Sequence, residues 1–268
     1  MKILLSNDDG VYAPGIVLLA NDLASRGHSV TVVAPDRARS GAGHSITTDH
    51  SLFLLNLSLR REACFGYDEA VNVFLCGGTP ADCVMAGLAL AEPEPELVLS
   101  GVNSGPNLGC DVYYSGTVAA AREGYFENRR SVALSLNLSR SREAHYESAL
   151  ATVAALLDYP DVFFGSDERP ACLNVNIPNL PLSEIRGFRT TFAGRRRYEN
   201  RIQPCVTPSG KDWFRVTGTP VEYEELEGSD VRAVNEGFVA LTFLQHDTTD
   251  YRRNETIDSG AIQKIKLR

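Results

Sequence analysis

The amino-acid sequence predicts an α/β protein on a mostly parallel central sheet, followed by a β-rich C-terminal extension. Three observations carry this expectation. Strand-like and helix-like segments alternate from the start of the chain to about residue 180. Most of the strand-like segments are short apolar runs, as expected of strands covered on both faces. Helical periodicity fades after Pro178, where short β-like runs stand between Gly, Pro and polar turns.

Residues 2–6 read as a buried strand. Residues 14–26 read as a helix: Ile16, Leu19, Ala20, Leu23 and Ala24 recur at helical spacing, Pro14 suits the first turn and Gly27 the end. Val30 to Ala34 is the next strand, and the three elements together make a βαβ unit, which favours a parallel sheet with a right-handed crossover. Ser51 to Leu59 alternates Leu55, Leu57 and Leu59 with polar residues and predicts a partly exposed strand. The pattern continues with strand 73–76, helix 80–91, strand 97–100, helix 115–127 with Ser115 as N-cap, strand 132–136, helix 141–157 and strand 172–177. Beyond these, 213–217, 221–224 and 238–244 read as short strands. The chain divides into an α/β core, 1–180, and an extension, 181–268, expected to pack on the core or on a neighbouring subunit.

Charge narrows the function. With 34 acidic against 26 basic residues, the net charge of −8 argues against a nucleic-acid coat. A small anionic substrate then needs local positive charge, which a bound metal supplies. No run approaches the roughly 20 apolar residues of a membrane span. The opening Met1–Asp9 is apolar for only three residues before it turns polar, so a cytoplasmic protein is expected. The six cysteines (64, 76, 83, 110, 172 and 205) form no CxxC pair and read as reduced, mostly buried thiols.

Three polar, glycine-rich loops each follow a predicted strand: Ser6–Gly10, Pro35–Ser45 and Ser100–Gly109. In open α/β sheets, ligands bind outside the carboxyl ends of the strands, so these loops should converge. They offer the carboxylates of Asp8 and Asp9, the hydroxyl of Ser40 and the carbonyl of Asn103, a hard all-oxygen set that suits one Mg²⁺ or Mn²⁺. An Asp-Gly pair is also a common turn signal. Two adjacent carboxylates at a strand end are nevertheless unfavourable without a cation beside them. Glycines 41, 43, 101, 105 and 109 let backbone N–H groups approach an anion. Ser115-Gly116-Thr117 opens a helix whose N-terminus can bind phosphate, and Asn107 joins it as a candidate phosphate ligand. Asp8 and Asp9 are the candidate catalytic residues, with Asp8 preferred for orienting a water because it lies nearer the strand end.

No GxxxxGK[ST], no GxGxxG after the first strand and no GxSxG occur. His44 reads as structural or solvent-facing, and Arg37 and Arg39 stay outside the expected site. Of the aromatic residues Trp213, Tyr113, Tyr114, Tyr198 and Tyr223, only Tyr113-Tyr114 is a candidate for lining a pocket. Arg195–Arg197 reads as a solvated or subunit-contacting cluster rather than a substrate clamp.

The segments KILLSNDDGVYAPGI, APDRARSGAGHSIT, GGTPADCV, SGVNSGPNLG and YSGTVAAAREG resemble, in order, blocks of the SurE family (survival protein E, a 5′/3′-nucleotidase). The resemblance is close to about residue 137 and looser beyond. It implies a Rossmann-like three-layer phosphatase that removes phosphate from nucleoside 5′- and 3′-monophosphates and, in some members, cleaves short polyphosphate. It implies metal ligands at Asp8, Asp9, Ser40 and Asn103, and a homodimer or homotetramer exchanging C-terminal segments. Near the C-terminus, Phe243 replaces a proline of the family pattern and His246 sits one place from where some members carry a His. No catalytic role is therefore carried over to His246. Two rivals remain: an aspartyl-phosphate route through Asp8 or Asp9, and a non-catalytic nucleotide sensor, which would gain little from two acids beside a phosphate.

Overall fold

A computed structural model of the chain describes residues 1–92, 94–138, 143–165, 169–199, 202–205, 213–216, 219–221 and 226–256. The elements are β1 (Lys2–Ser6), α1 (Pro14–Ser25), β2 (Ser29–Pro35), β3 (Leu54–Asn56), β4 (Asn72–Cys76), α2 (Pro80–Leu90), β5 (Leu97–Ser104), α3 (Gly116–Phe126), β6 (Arg130–Asn137) and α4 (Tyr146–Asp158). They continue with α5 (Pro160–Phe164), β7 (Cys172–Pro178), β8 (Phe188–Thr190), β9 (Arg197–Glu199), β10 (Ile202–Cys205), β11 (Trp213–Val216), β12 (Thr219–Val221), α6 (Asp230–Asn235), β13 (Val239–Leu244) and α7 (Tyr251–Glu255).

The main sheet runs β3-β4-β2-β1-β5-β6-β7-β13-β8. From β4 through β7 every neighbouring pair is parallel, while β3 and β13 join antiparallel. The order reverses between β1 and β5: the chain winds one way to β2 and β4, then the other way to β6 and β7. That reversal is the switch point of a doubly wound sheet.

The strands are apolar on both faces because helices cover both. In β1, Ile3 and Leu5 pack in one cluster with Ile16, Leu19 and Leu23 of α1 and with Val153 and Leu156 of α4. Leu4, pointing the other way, packs with Cys83 and Val84 of α2 and Ala120 of α3. The helix starts are set locally. Pro14 opens α1, and Thr79 and Asp82 close a reciprocal capping box on α2.

Three expectations are corrected. Only Leu54–Asn56 of the predicted strand 51–59 pairs, with β4; Asn56 then accepts from the Ser58 N–H and turns Leu57–Leu59 into a short 3₁₀ helix. The predicted strand 97–100 runs on to Ser104, through a register shift against β6 between Ser100 and Asn103. The predicted helix 141–157 begins at Tyr146, because Asn179 grips the preceding segment, accepting from the His145 N–H and donating to the Glu143 carbonyl. Residues 141–142, residue 217 and residues 222–224, including Tyr223, lie outside the described residues.

Beyond residue 181, β8 and β13 belong to the main sheet, whereas β10–β11 and β9–β12 form antiparallel two-stranded ribbons.

Candidate active site

Each loop at the switch point has its own fastening. Gly10, at φ +101°, closes the turn after β1, with its N–H on Asn7 Oδ1 (3.1 Å) and its carbonyl accepting from Asn7 Nδ2 (2.9 Å). This turn presents Asp8 and Asp9. The loop after β2 is tied down by the Arg39 N–H on the Asp8 carbonyl (2.7 Å) and by the Arg39 guanidinium on Asp36 (3.0 Å) and the Gly77 carbonyl (2.8 Å). It leads directly into Ser40. At the end of β5, Asn103 Nδ2 donates to the Gly105 carbonyl (2.8 Å), a bond that leaves the side-chain oxygen available as an acceptor.

These segments converge. Asp8, Asp9, Ser40, Asn103, Asn107 and Ser115 line one open cavity of 510 Å³, together with Gly41, Ser104, Pro106, Asp111, Tyr114, Tyr198 and Val216. Gly116 and Thr117 stand behind Asp8 instead of lining the cavity. A Cβ on Gly116 would lie 2.8 Å from the Asp8 Cβ, so only glycine lets α3 come this close. Thr117 is fully buried and donates its hydroxyl to Asp8 Oδ1 (2.6 Å). Ser115 caps α3 by accepting from the Val118 N–H (3.0 Å).

Burial raises the Asp8 carboxyl above its ordinary value; the Thr117 hydroxyl pulls it back, and the Asp9 charge raises it again. Asp9 is half-buried and accepts from the Ser104 N–H (3.0 Å). The donor set is thus two neighbouring carboxylates, one of them desolvated, with a hydroxyl and a carboxamide oxygen facing the same space. A hard divalent cation fits that chemistry, since it would offset both the desolvation and the mutual repulsion.

The third wall went unrecognised in the sequence. Asp111 takes an ion pair from Arg196 (2.5 Å) and a hydrogen bond from the Tyr198 hydroxyl (2.6 Å), joining the extension to the short 3₁₀ helix Gly109–Tyr113. Arg196 is therefore no solvated cluster residue, because a carboxylate within reach of the folded chain claims it. Nothing in the local pattern around Asp111 signals this. Tyr114 lines the cavity, while Tyr113 faces a separate groove with Phe192 and Phe243. Trp213 lies more than half exposed at 58%. His44 is structural: its Nε2 meets Glu123 Oε1 (2.5 Å) and its ring stacks on Phe126. Arg37 pairs loosely with Asp36 (3.4 Å), and His246 lies against Tyr125, neither of them lining the cavity.

A doubly wound sheet whose switch point opens on an oxygen-rich cavity defines the class: an α/β protein with its candidate ligand site at the carboxyl ends of β1, β2 and β5. A family model described as survival protein SurE matches residues 3–200. Relatives called 5′-nucleotidase SurE include one from Synechococcus elongatus, 43% identical over 96% of this chain and 98% of its own length. Another, from Gloeobacter violaceus, is 43% identical over 93% of this chain and 91% of its own. The crystal structure of the SurE protein from Aquifex aeolicus superposes with a TM-score of 0.75 at 38% identity, over 96% of this chain and 98% of that one. The chain belongs to the SurE family.

Proposed function

We propose that this protein is a divalent-metal-dependent 5′/3′-nucleotidase, a hydrolase that removes phosphate from nucleoside monophosphates. The observation that carries the reading is the convergence of Asp8, Asp9, Ser40 and Asn103 on one cavity from three loops that are distant in sequence. The 5′-nucleotidase names of its relatives supply the substrate class. Activity toward 3′-monophosphates and short polyphosphate belongs to the proposal.

In this reading Asp8, Asp9, Ser40 and Asn103 hold one Mg²⁺ or Mn²⁺. Such an ion, when bound, neutralises charge developing on the phosphoryl group and lowers the pKa of bound water. The chain's own residues do the positioning. Thr117 fixes the Asp8 carboxylate from behind, and Asp8, which lines the cavity, orients a water. Asn107 and Ser115, which line the cavity, hold phosphate oxygens, with the dipole of α3 favouring the anion, and Gly116 contributes by letting α3 approach Asp8. Thr117 contributes to that pocket through Asp8. Phosphoryl transfer asks mostly for such positioning and charge stabilisation.

Assembly as a homodimer or homotetramer through the 181–268 segment is supported by Ile202, Trp213, Phe214 and Val216 of β10–β11, each more than half exposed. A cytoplasmic setting is supported by six unbridged cysteines. Among the described residues no helix is long and apolar enough to cross a membrane.

The test is AMP hydrolysis with Mn²⁺ or Mg²⁺, before and after EDTA, in wild type and Asp9→Ala. Chelation should abolish turnover. Asp9→Ala should lower kcat/KM by at least about a thousandfold, about 4 kcal/mol of transition-state stabilisation. Turnover untouched by both would remove the metal mechanism.

A further inference from the structure

We propose that Asn174 and Asn176 on β7, with Ser135 on β6, are positioning residues that set Asn107 against the substrate phosphate. The proposal rests on the reading above, in which Asn107 contacts that phosphate.

All of β7 is buried. Leu173, Val175 and Ile177 face the large apolar cluster. By the two-residue period of a strand, Asn174 and Asn176 share the opposite face, where both are fully buried. Carboxamides in the middle of a sheet are costly unless they are bonded, and these two converge on one distant residue. Asn176 grips the Asn107 main chain with both ends of its side chain, in the manner of a strand pair. Its Oδ1 accepts from the Asn107 N–H (2.8 Å), and its Nδ2 donates to the Asn107 carbonyl (3.1 Å). Asn174 Nδ2 donates to the same carbonyl (2.9 Å).

The Asn107 side chain is set as well. Its Nδ2 donates to Ser135 Oγ (2.7 Å), and Ser135 lies opposite Asn176 in the β6–β7 register. One amide hydrogen and Oδ1 of Asn107 remain for the cavity it lines. Asn174 Oδ1, meanwhile, is buried with no hydrogen-bond partner among the described residues. A position chosen only to fill the core would not keep an unpaired carbonyl. Its retention fits a residue kept for the bond its other end makes.

This arrangement gives the loop Ser104–Gly109 a template outside itself. The backbone and the side-chain torsion of Asn107 are both decided by strands, so a phosphate-contacting group on a loop acquires the rigidity of the sheet.

The experiment compares wild type, Asn107→Ala, Asn176→Ala, the double variant and Ser135→Ala. It reads kcat/KM for AMP, the inhibition constant of inorganic phosphate, and Mn²⁺ affinity by electron paramagnetic resonance. Asn107→Ala and Asn176→Ala should each weaken phosphate inhibition about tenfold, the size expected for a lost hydrogen bond to a charged group. The double variant should be no more than about twofold worse than Asn107→Ala, because the two residues act as one unit. Ser135→Ala, which keeps the main-chain bonds, should cost about threefold and stands in if Asn176→Ala does not fold. Mn²⁺ affinity should stay within about twofold of wild type throughout, because no metal ligand is touched. Additive losses in the double variant would overturn the proposal. So would phosphate inhibition unchanged in Asn176→Ala, or in Ser135→Ala where that variant stands in. If wild type does not hydrolyse AMP, the nucleotidase reading fails by itself, and phosphate binding by calorimetry across the same variants still decides the role of the asparagines.

Discussion

Two segments of the same cavity are built by opposite means. The Asp8-Asp9 turn is closed from within: Asn7 and Gly10, three residues apart, exchange two hydrogen bonds across it, and the distant contacts of Arg39, Ser104 and Thr117 are added to a turn already closed. The Asn107 segment is held from outside, by Ser135, Asn174, Asn176 and Asp230, which lie 28 to 121 residues away from the groups they bind. The first can form as soon as its own residues are in place. The second exists only after β6, β7 and α6 have assembled beneath it. A turn of the first kind carries its instructions with it, whereas a loop of the second kind borrows its shape from the fold.

The largest test of this contrast is Asp230→Ala. The buried Asp230 carboxylate accepts from the backbone N–H groups of Gly109 (2.8 Å), Gly194 (2.8 Å) and Val231 (2.8 Å), so its removal orphans three donors at once. Urea unfolding should show a loss of about 3 kcal/mol, at 1–3 kcal/mol for a buried donor left unpaired and with partial rehydration. A loss below about 1 kcal/mol would mean that the loop is not braced through α6.

Thr117→Val sharpens the other half. It keeps the shape of Thr117 but withdraws the hydroxyl from Asp8, and kcat/KM should fall about tenfold to a hundredfold. Thermal unfolding should shift little by comparison. A variant with wild-type turnover would show that the turn after β1 orders Asp8 without help from α3.

The smallest effect concerns Asp82, whose contacts join a local cap to a distant loop. Burial alone would raise its carboxyl, but donors from Thr47 and Thr79 outweigh burial and hold it below the ordinary 3.8. A folded pKa below the unfolded one stabilises the protein above that ordinary value and loses the contribution as the pH falls through the folded value. Asp82→Ala should therefore cost about 1 kcal/mol at pH 7. The difference from wild type should shrink in unfolding measurements taken progressively below pH 4.

The same contrast explains what could be read in the sequence. The βαβ opening, the helix that starts at Pro14 and the cap at Ser115 follow from residues within a few positions of one another, and the structure places them as expected. Where a reading went astray, a local polar side chain or a distant partner had intervened. Asn56 capped a 3₁₀ turn inside an apparent strand, and Asn179 delayed the start of α4. Arg196 was claimed by Asp111, 85 residues away. Thr117 read as a phosphate ligand because it opens a helix, yet its hydroxyl turned to a carboxylate 109 residues away.

By itself the sequence determined the alternation of strands and helices, the three polar loops at strand ends and the oxygen donors they carry, because periodicity, capping and turn chemistry act over a few residues. Only the tertiary structure decided that β13 enters the sheet beside β7, that Tyr198 and Val216 of the extension join the cavity wall, and that two asparagines of β7 reach back to Asn107. The physical reason is that such contacts depend on strand order and register. A side chain 67 or 69 residues away becomes a neighbour only once those are set.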